Sequence, residues 1–223
     1  LRTPVNAIQG FAEVNQQQLF GPTPHEYRAL ASTIVGDAAR MLAAFEELER
    51  LAKLESGSLD IEGGSIDLAE VVDGTAAQLA AHTRQRGSGF VIKPADGPLP
   101  VAIARIEAER IIWRLLATLA GVAAPGEQLK LRLRERHGAA RLDVALPAAL
   151  ASRSGDELFR AAAGSVPQVI SAGVFGVGFA LRLARSEARA AGGDLLRKDD
   201  RLRLVLPGLT DAAAGHSHMT HEG

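Results

Sequence analysis

Leu1-Arg2-Thr3-Pro4-Val5-Asn6-Ala7-Ile8-Gln9-Gly10-Phe11-Ala12-Glu13 opens the chain, and its counterpart is the run RMLAAFEELERLAKLESG from Arg40 to Gly57. In residues 1–20 the apolar groups Val5, Ile8, Phe11, Ala12 and Leu19 recur at helical spacing. Gly21-Pro22-Thr23-Pro24 then breaks the helix. A second helix is expected from about Pro24 to Leu54, with Leu30, Ile34, Ala38, Met41, Leu42, Phe45, Leu48 and Leu51 recurring at threes and fours. Two such helices form an antiparallel hairpin with an apolar face left over. Pairing two hairpins into a four-helix bundle covers that face, so a symmetric homodimer is the expected state.

The same stretches carry a family resemblance. Leu1-Arg2-Thr3-Pro4 resembles the segment just after the phospho-accepting histidine of sensor histidine kinases, where the family pattern is His-Glu/Asp-Leu-Arg-Thr-Pro. The sequence in hand starts just past that histidine. Asn15–Tyr27 resembles the hairpin loop, and Leu51-Ala52-Lys53-Leu54-Glu55-Ser56-Gly57 is similar to the family's Leu-Ser-Lys-Ile-Glu-Ala-Gly. The resemblance implies a dimerisation and histidine-phosphotransfer hairpin over residues 1–57. It also implies a response-regulator receiver domain as partner, docked near Arg2 and Pro4. Thr3 falls one helical turn beyond the family's histidine, where a hydroxyl can orient the water that dephosphorylates a regulator. Capping the turn before Pro4, or simple solvation, is the plainer alternative for Thr3. With helical residues upstream, Pro4 would also mark a kink.

Gly57-Ser58-Leu59-Asp60-Ile61-Glu62-Gly63-Gly64-Ser65 is a turn-rich boundary, with residues 58–65 as linker. Ile66–Ala81 reads as a short strand and an amphipathic helix. Phe90–Lys93, Lys130–Arg134, Arg141–Leu146 and Arg201–Leu206 read as strands, and helices are expected at Ile106–Ala120 and Gly178–Ala191. Leu129, Leu131 and Leu133 alternate with Lys130, Arg132 and Arg134, as Leu202, Leu204 and Leu206 do with Arg201 and Arg203. The fold class is therefore α+β, a helical hairpin followed over residues 66–208 by an α/β sandwich with helices on one sheet face. That order resembles the ATPase domain shared by histidine kinases, gyrase, Hsp90 and MutL.

Set against that family, the chemistry-bearing boxes depart from pattern. The family's magnesium-side stretch resembles Asn-Leu-Leu-x-Asn-Ala, and here it reads Arg114-Leu115-Leu116-Ala117-Thr118-Leu119. The chain's asparagines are Asn6 and Asn15, so no shift of alignment restores the motif; Glu107 and Glu109 are the nearest substitute oxygens. Where the family's adenine-binding Asp-x-Gly-x-Gly is expected, Leu146 stands in the aspartate position. Asp143 is three residues early, an odd offset that turns it to the other sheet face. Gly173, Gly176 and Gly178 resemble the phosphate-side glycine loop, read either as a degenerate nucleotide contact or as tight helix packing. Asp156-Glu157-Leu158-Phe159 resembles the phenylalanine-bearing box, with a lid over roughly 160–172.

Composition narrows the classes. An apolar fraction of 47% supports a true core, and 25 basic against 26 acidic residues require no polyanionic partner. Aromatic residues are 4%, too few for base-stacking platforms, so no nucleic acid is expected. The absence of cysteine removes disulfides, thiol catalysis and thiolate metal sites. No apolar run reaches the roughly 18 residues of a membrane span, so no membrane contact is expected in this segment and a cytoplasmic location is. His25 and His137 read as solvated loop residues, and no metal site is expected. Residues 209–223, with His216, His218 and His221, read as a disordered tail. The leading reading is a two-component histidine kinase core impaired in ATP binding and autophosphorylation. No cofactor is then expected, with ATP and Mg²⁺ retained only by a divergent working site. The alternatives are an ATP-independent phosphotransferase or a regulator-docking pseudokinase, and a divergent active kinase.

Overall fold

The computed structural model describes residues 2–160 and 175–209. The expected tail beyond Leu209, Gly173 and the lid from residue 161 onward lie outside the described residues. The chain divides into two compact units, Leu1–Lys53 and Leu54–Gly223.

In the first unit, α1 spans Arg2–Gln16 and α2 spans His25–Glu55, its last two residues belonging to the second unit. Pro4 falls in the first turn of α1, where its missing N–H costs no helical hydrogen bond. His25, read as a loop residue, is instead the first residue of α2, and it is exposed. Burial falls mainly on small side chains, Val5 and Ala12 on α1 and Ala31, Ala38 and Ala44 on α2, with Leu51 near the end of α2. The large apolar groups point elsewhere, with Phe11 at 72% and Leu30 at 60% exposure, and Ile34, Met41 and Leu48 also open.

The second unit begins with β1 (Ile66–Asp67), α3 (Leu68–Arg84), β2 (Gly89–Lys93), β3 (Pro100–Val101) and α4 (Arg105–Val122). It continues through β4 (Gln128–Arg136), β5 (Ala139–Ala145), α5 (Ala148–Ala151), α6 (Gly176–Ala190), β6 (Asp194–Lys198) and β7 (Arg201–Pro207). Asp67 starts α3 by accepting the Ala69 N–H at 2.9 Å, and its same oxygen takes the Leu99 N–H at 3.0 Å. At the far end of α4, Arg86 donates to the carbonyls of Gly121 and Ala123, satisfying groups the helix leaves open.

Five strands form one sheet in the order β2-β4-β5-β7-β6, parallel only between β2 and β4. Strands β1 and β3 make a separate antiparallel pair. The expected alternation is borne out: Leu129, Leu131, Leu133, Leu142, Val144, Leu202, Leu204 and Leu206 are buried against Ile112, Leu115, Leu116 and Leu119 of α4 and Leu181 of α6. Each such side chain contributes on the order of 2 kcal/mol when fully buried. Strand β6 escaped the sequence reading because it is short and edge-lying, with only Leu195 fully buried. The chain enters it through Gly193, where an added Cβ would overlap the Val205 carbonyl oxygen of β7. Among the described residues no helix is long and apolar enough to cross a membrane.

Candidate functional site

Arg114 and Thr118 stand one turn apart on the same side of α4. The Arg114 Nε–H donates to Glu187 Oε2 at 3.2 Å, joining α4 to α6. Glu187 is fully buried and the Arg114 side chain is 13% exposed. A carboxylate so placed stays ionised only with a compensating cation beside it. Thr118 is also fully buried, and its hydroxyl oxygen has no hydrogen-bond partner among the described residues.

This set of groups does not fit magnesium. Mg²⁺ takes about six oxygen ligands in near-octahedral array, whereas Arg114 brings a fixed positive charge and Thr118 one neutral oxygen. The nearby carboxylates are engaged elsewhere: Glu107 accepts two bonds from Arg110 at 2.9 and 3.0 Å, and Glu109 lies 3.8 Å from Arg105. Among the described residues no group of three or more His, Cys, Asp or Glu could hold a metal ion.

On β5 the odd offset acts as the sequence suggested. Leu146, just past the strand, is 8% exposed and belongs to the core, and its N–H donates to the Asp200 carbonyl at 2.9 Å. Asp143 faces the other side of the sheet, where it accepts from Arg134 Nη2 at 2.6 Å and from Arg203 Nε at 2.6 Å and Nη2 at 3.3 Å. The bond to Asp143, ahead of the opposing effect of burial, holds the Arg203 guanidinium above its ordinary pKa. Asp143 is thus committed to a structural clamp away from the helix layer.

Of the glycine box, Gly176 is the first residue of α6 with φ +78°, a conformation glycine adopts without strain. Gly178 lies inside α6 and is buried. Phe175 precedes the helix and stacks on Phe179 with ring centroids 4.7 Å apart. Phe159, from the phenylalanine box, is buried and lies under the Arg185 guanidinium at 4.7 Å. In the first unit, Arg2 donates to Glu49 across the hairpin at 2.6 Å, while Lys53 pairs with the other Glu49 oxygen at 2.6 Å. The Lys53 hydrogen bond first, and the charge of Arg2 next, hold the Glu49 carboxyl below its usual range. Thr3 and Pro4 are exposed beside Arg2 at the start of α1.

With this geometry in place, the likenesses to known proteins are specific. Residues 1–57 match the His Kinase A (phospho-acceptor) domain family. Over those residues the chain carries a histidine kinase phospho-acceptor domain, and beyond them it is similar to histidine kinases. It is 25% identical over 201 residues to the histidine protein kinase DivJ of Caulobacter vibrioides, covering 88% of this chain and 33% of DivJ. It is 28% identical over 131 residues to the cell-division control histidine kinase PdhS of Brucella ovis, covering 58% of this chain and 13% of PdhS. The chain thus spans a third or less of the curated relatives it matches. Among solved structures, full-length ShkA in complex with AMPPNP aligns with TM-score 0.69 at 14% identity, over 92% of this chain and 42% of that one. The histidine kinase ThkA, solved in complex with the response regulator protein TrrA, aligns with TM-score 0.53 at 14% identity, over 94% of this chain and 59% of that one. These two likenesses concern the fold, a hairpin followed by the histidine kinase sandwich.

In the second unit, the residue that sequence reasoning missed is Glu187. Its signal was present, since it interrupts the apolar face of α6 defined by Leu183, Ala184 and Ala188. A carboxylate on such a face demands a cationic partner, although the sequence does not say that the partner is Arg114.

Proposed function

We propose that the chain is the dimerisation and ATPase-like core of a two-component histidine kinase in which Mg-ATP binding and autophosphorylation are impaired. It then acts in cytoplasmic signalling through its hairpin, pairing with a second copy and docking a response-regulator receiver domain. One observation carries the reading: the guanidinium of Arg114, paired with buried Glu187, stands at the position matching the first metal-side asparagine of the family. Phosphoryl transfer depends on positioning and on neutralising phosphate charge through the metal. A guanidinium offers the metal no lone pair, and Leu146 offers adenine no carboxylate.

The partners follow from the first unit. Phe11, Leu30, Ile34 and Met41 leave an apolar face that a second hairpin would cover. The complex formed by ThkA with TrrA is a property of those proteins, and a receiver domain is the corresponding partner proposed here, met by Arg2, Thr3 and Pro4. Calorimetric titration of the folded chain with ATP, with and without Mg²⁺, tests the central claim. No heat of binding at millimolar ATP is expected. Saturable micromolar binding that needs Mg²⁺ would overturn the impairment and restore a divergent active kinase.

A further inference from the structure

Helices cover one face of the five-stranded sheet, and the opposite face is basic. Alternation places Lys130, Arg132, Arg134 and Arg136 of β4 on it, together with Arg141 of β5 and Arg203 of β7. Against these six cations the same strands place one carboxylate there, Asp143, already shared between Arg134 and Arg203. Arg201, at the margin, is matched by Asp200 at 3.0 Å. The excess positive charge is local, because the whole chain carries a formal net charge of −1.

Folding alone gives no reason for this arrangement. Arg134 and Arg141 are direct cross-strand partners, and like charges so placed destabilise a sheet. The Nε–H groups of Arg134 and Arg141 are buried and lack acceptors among the described residues. Burial first, then the charges of Arg136, Arg203 and Arg134, push the Arg141 guanidinium below its ordinary pKa. Beside this cluster lies a depression of 290 Å³ whose lining includes Val91, Lys93, Lys130, Arg132 and Asp143.

We propose that this sheet face, open among the described residues, is a docking surface for an acidic, extended segment of a partner protein. Three observations select that occupant. The face already binds carboxylate, since Asp143 sits between two guanidinium groups with bonds of 2.6 Å. Basic side chains at alternate residues of β4 repeat every ~7 Å, the same-face repeat of an extended peptide. No aromatic side chain on the central strands β4, β5 or β7 offers a platform for nucleic-acid bases. The arginine fork then supplies bidentate, charge-assisted bonds to successive carboxylates. This surface is independent of the nucleotide cradle, so its test does not depend on whether ATP binds.

The experiment uses the full chain and a fluorescein-labelled peptide of six Glu-Gly repeats, followed by anisotropy at about 0.1 M salt. Saturable binding is expected, with Arg141→Gln and Arg132→Gln together weakening it at least tenfold. Arg141→Gln alone is expected to raise the melting temperature while weakening the peptide, because it relieves the clash with Arg134. Arg40→Gln on the hairpin is the matched control for loss of one positive charge and should bind as the parent does. Absence of saturable binding overturns the proposal, as does equal weakening by Arg40→Gln. So does a lower melting temperature for Arg141→Gln, which would make the arginine a structural element. Tighter binding of duplex DNA or of phosphatidylserine vesicles than of the peptide, lost in the same variants, also overturns it in favour of a phosphate ligand.

Discussion

The two units invert one another's use of apolar residues. The hairpin buries Val5, Ala12, Ala31 and Ala38 and leaves Phe11, Leu30 and Ile34 in solvent. The sandwich buries most of its leucine and isoleucine and exposes mainly charge on its open sheet face. The sandwich is therefore chemically complete as one copy, whereas the hairpin has spent its small residues internally and kept its large ones for something else. Damage to the first kind of unit should appear as unfolding, and damage to the second as a change in association.

The largest effect should come from breaking the buried ion pair in the sandwich. Glu187→Ala strands the Arg114 charge and is expected to destabilise the second unit by about 3 kcal/mol or more. Urea unfolding followed by the fluorescence of Trp113 on α4 would measure it, and the midpoint should not depend on protein concentration. Arg114→Met with Glu187→Leu should recover most of that loss, because an apolar pair needs no compensating charge. Recovery would show that the pair is not needed for the fold to form.

An intermediate effect is expected at the hairpin. Phe11→Ser with Leu30→Ser removes two large side chains from the open face and should weaken self-association by about 2–4 kcal/mol. Sedimentation equilibrium would read this as a shift toward monomer at micromolar protein, with little change in the unfolding of the sandwich. If the double variant associates as tightly as the parent, the contrast between the units fails.

The smallest effect concerns a half-open pair within the sandwich. Burial raises the Asp194 pKa, but hydrogen bonds from Arg189 and Arg185 outweigh it and the carboxyl lies below its ordinary value. A depressed carboxyl contributes stability that is full above about pH 4, the ordinary aspartate value. That contribution fades as pH falls through the lower folded value. Asp194→Asn should therefore cost on the order of 1 kcal/mol or less near neutrality, given the exposure of Arg189. The difference from the parent should vanish in strong acid. Thermal melts across pH 2–7 would show the two curves converging.

What the sequence made legible was local. The stripes of α1 and α2 follow from spacing within one turn, and the leucine alternation of β4 and β7 follows from a period of two. The face reversal between Asp143 and Leu146 needed only counting. The unread parts depend on residues far apart in the chain. Arg114 and Glu187 are 73 positions apart, and Asp143 and Arg203 are 60 apart, so neither pairing is visible in a local pattern. Strand β6 failed for a different reason, since Leu195-Leu196 side by side hides an alternation only two or three residues long.

The glycine at the entry to β6 has a further consequence, for how this sequence can vary. Gly193 passes so near the Val205 carbonyl that every other amino acid would overlap it, and Gly208 stands in the same relation to the carbonyl of Gly138. Much of the open surface tolerates exchange, but these two positions have no neutral neighbours in sequence space. A lineage can change Arg114 and keep its shape only if Glu187 changes with it. At Gly193 a single codon change reaches the fold itself.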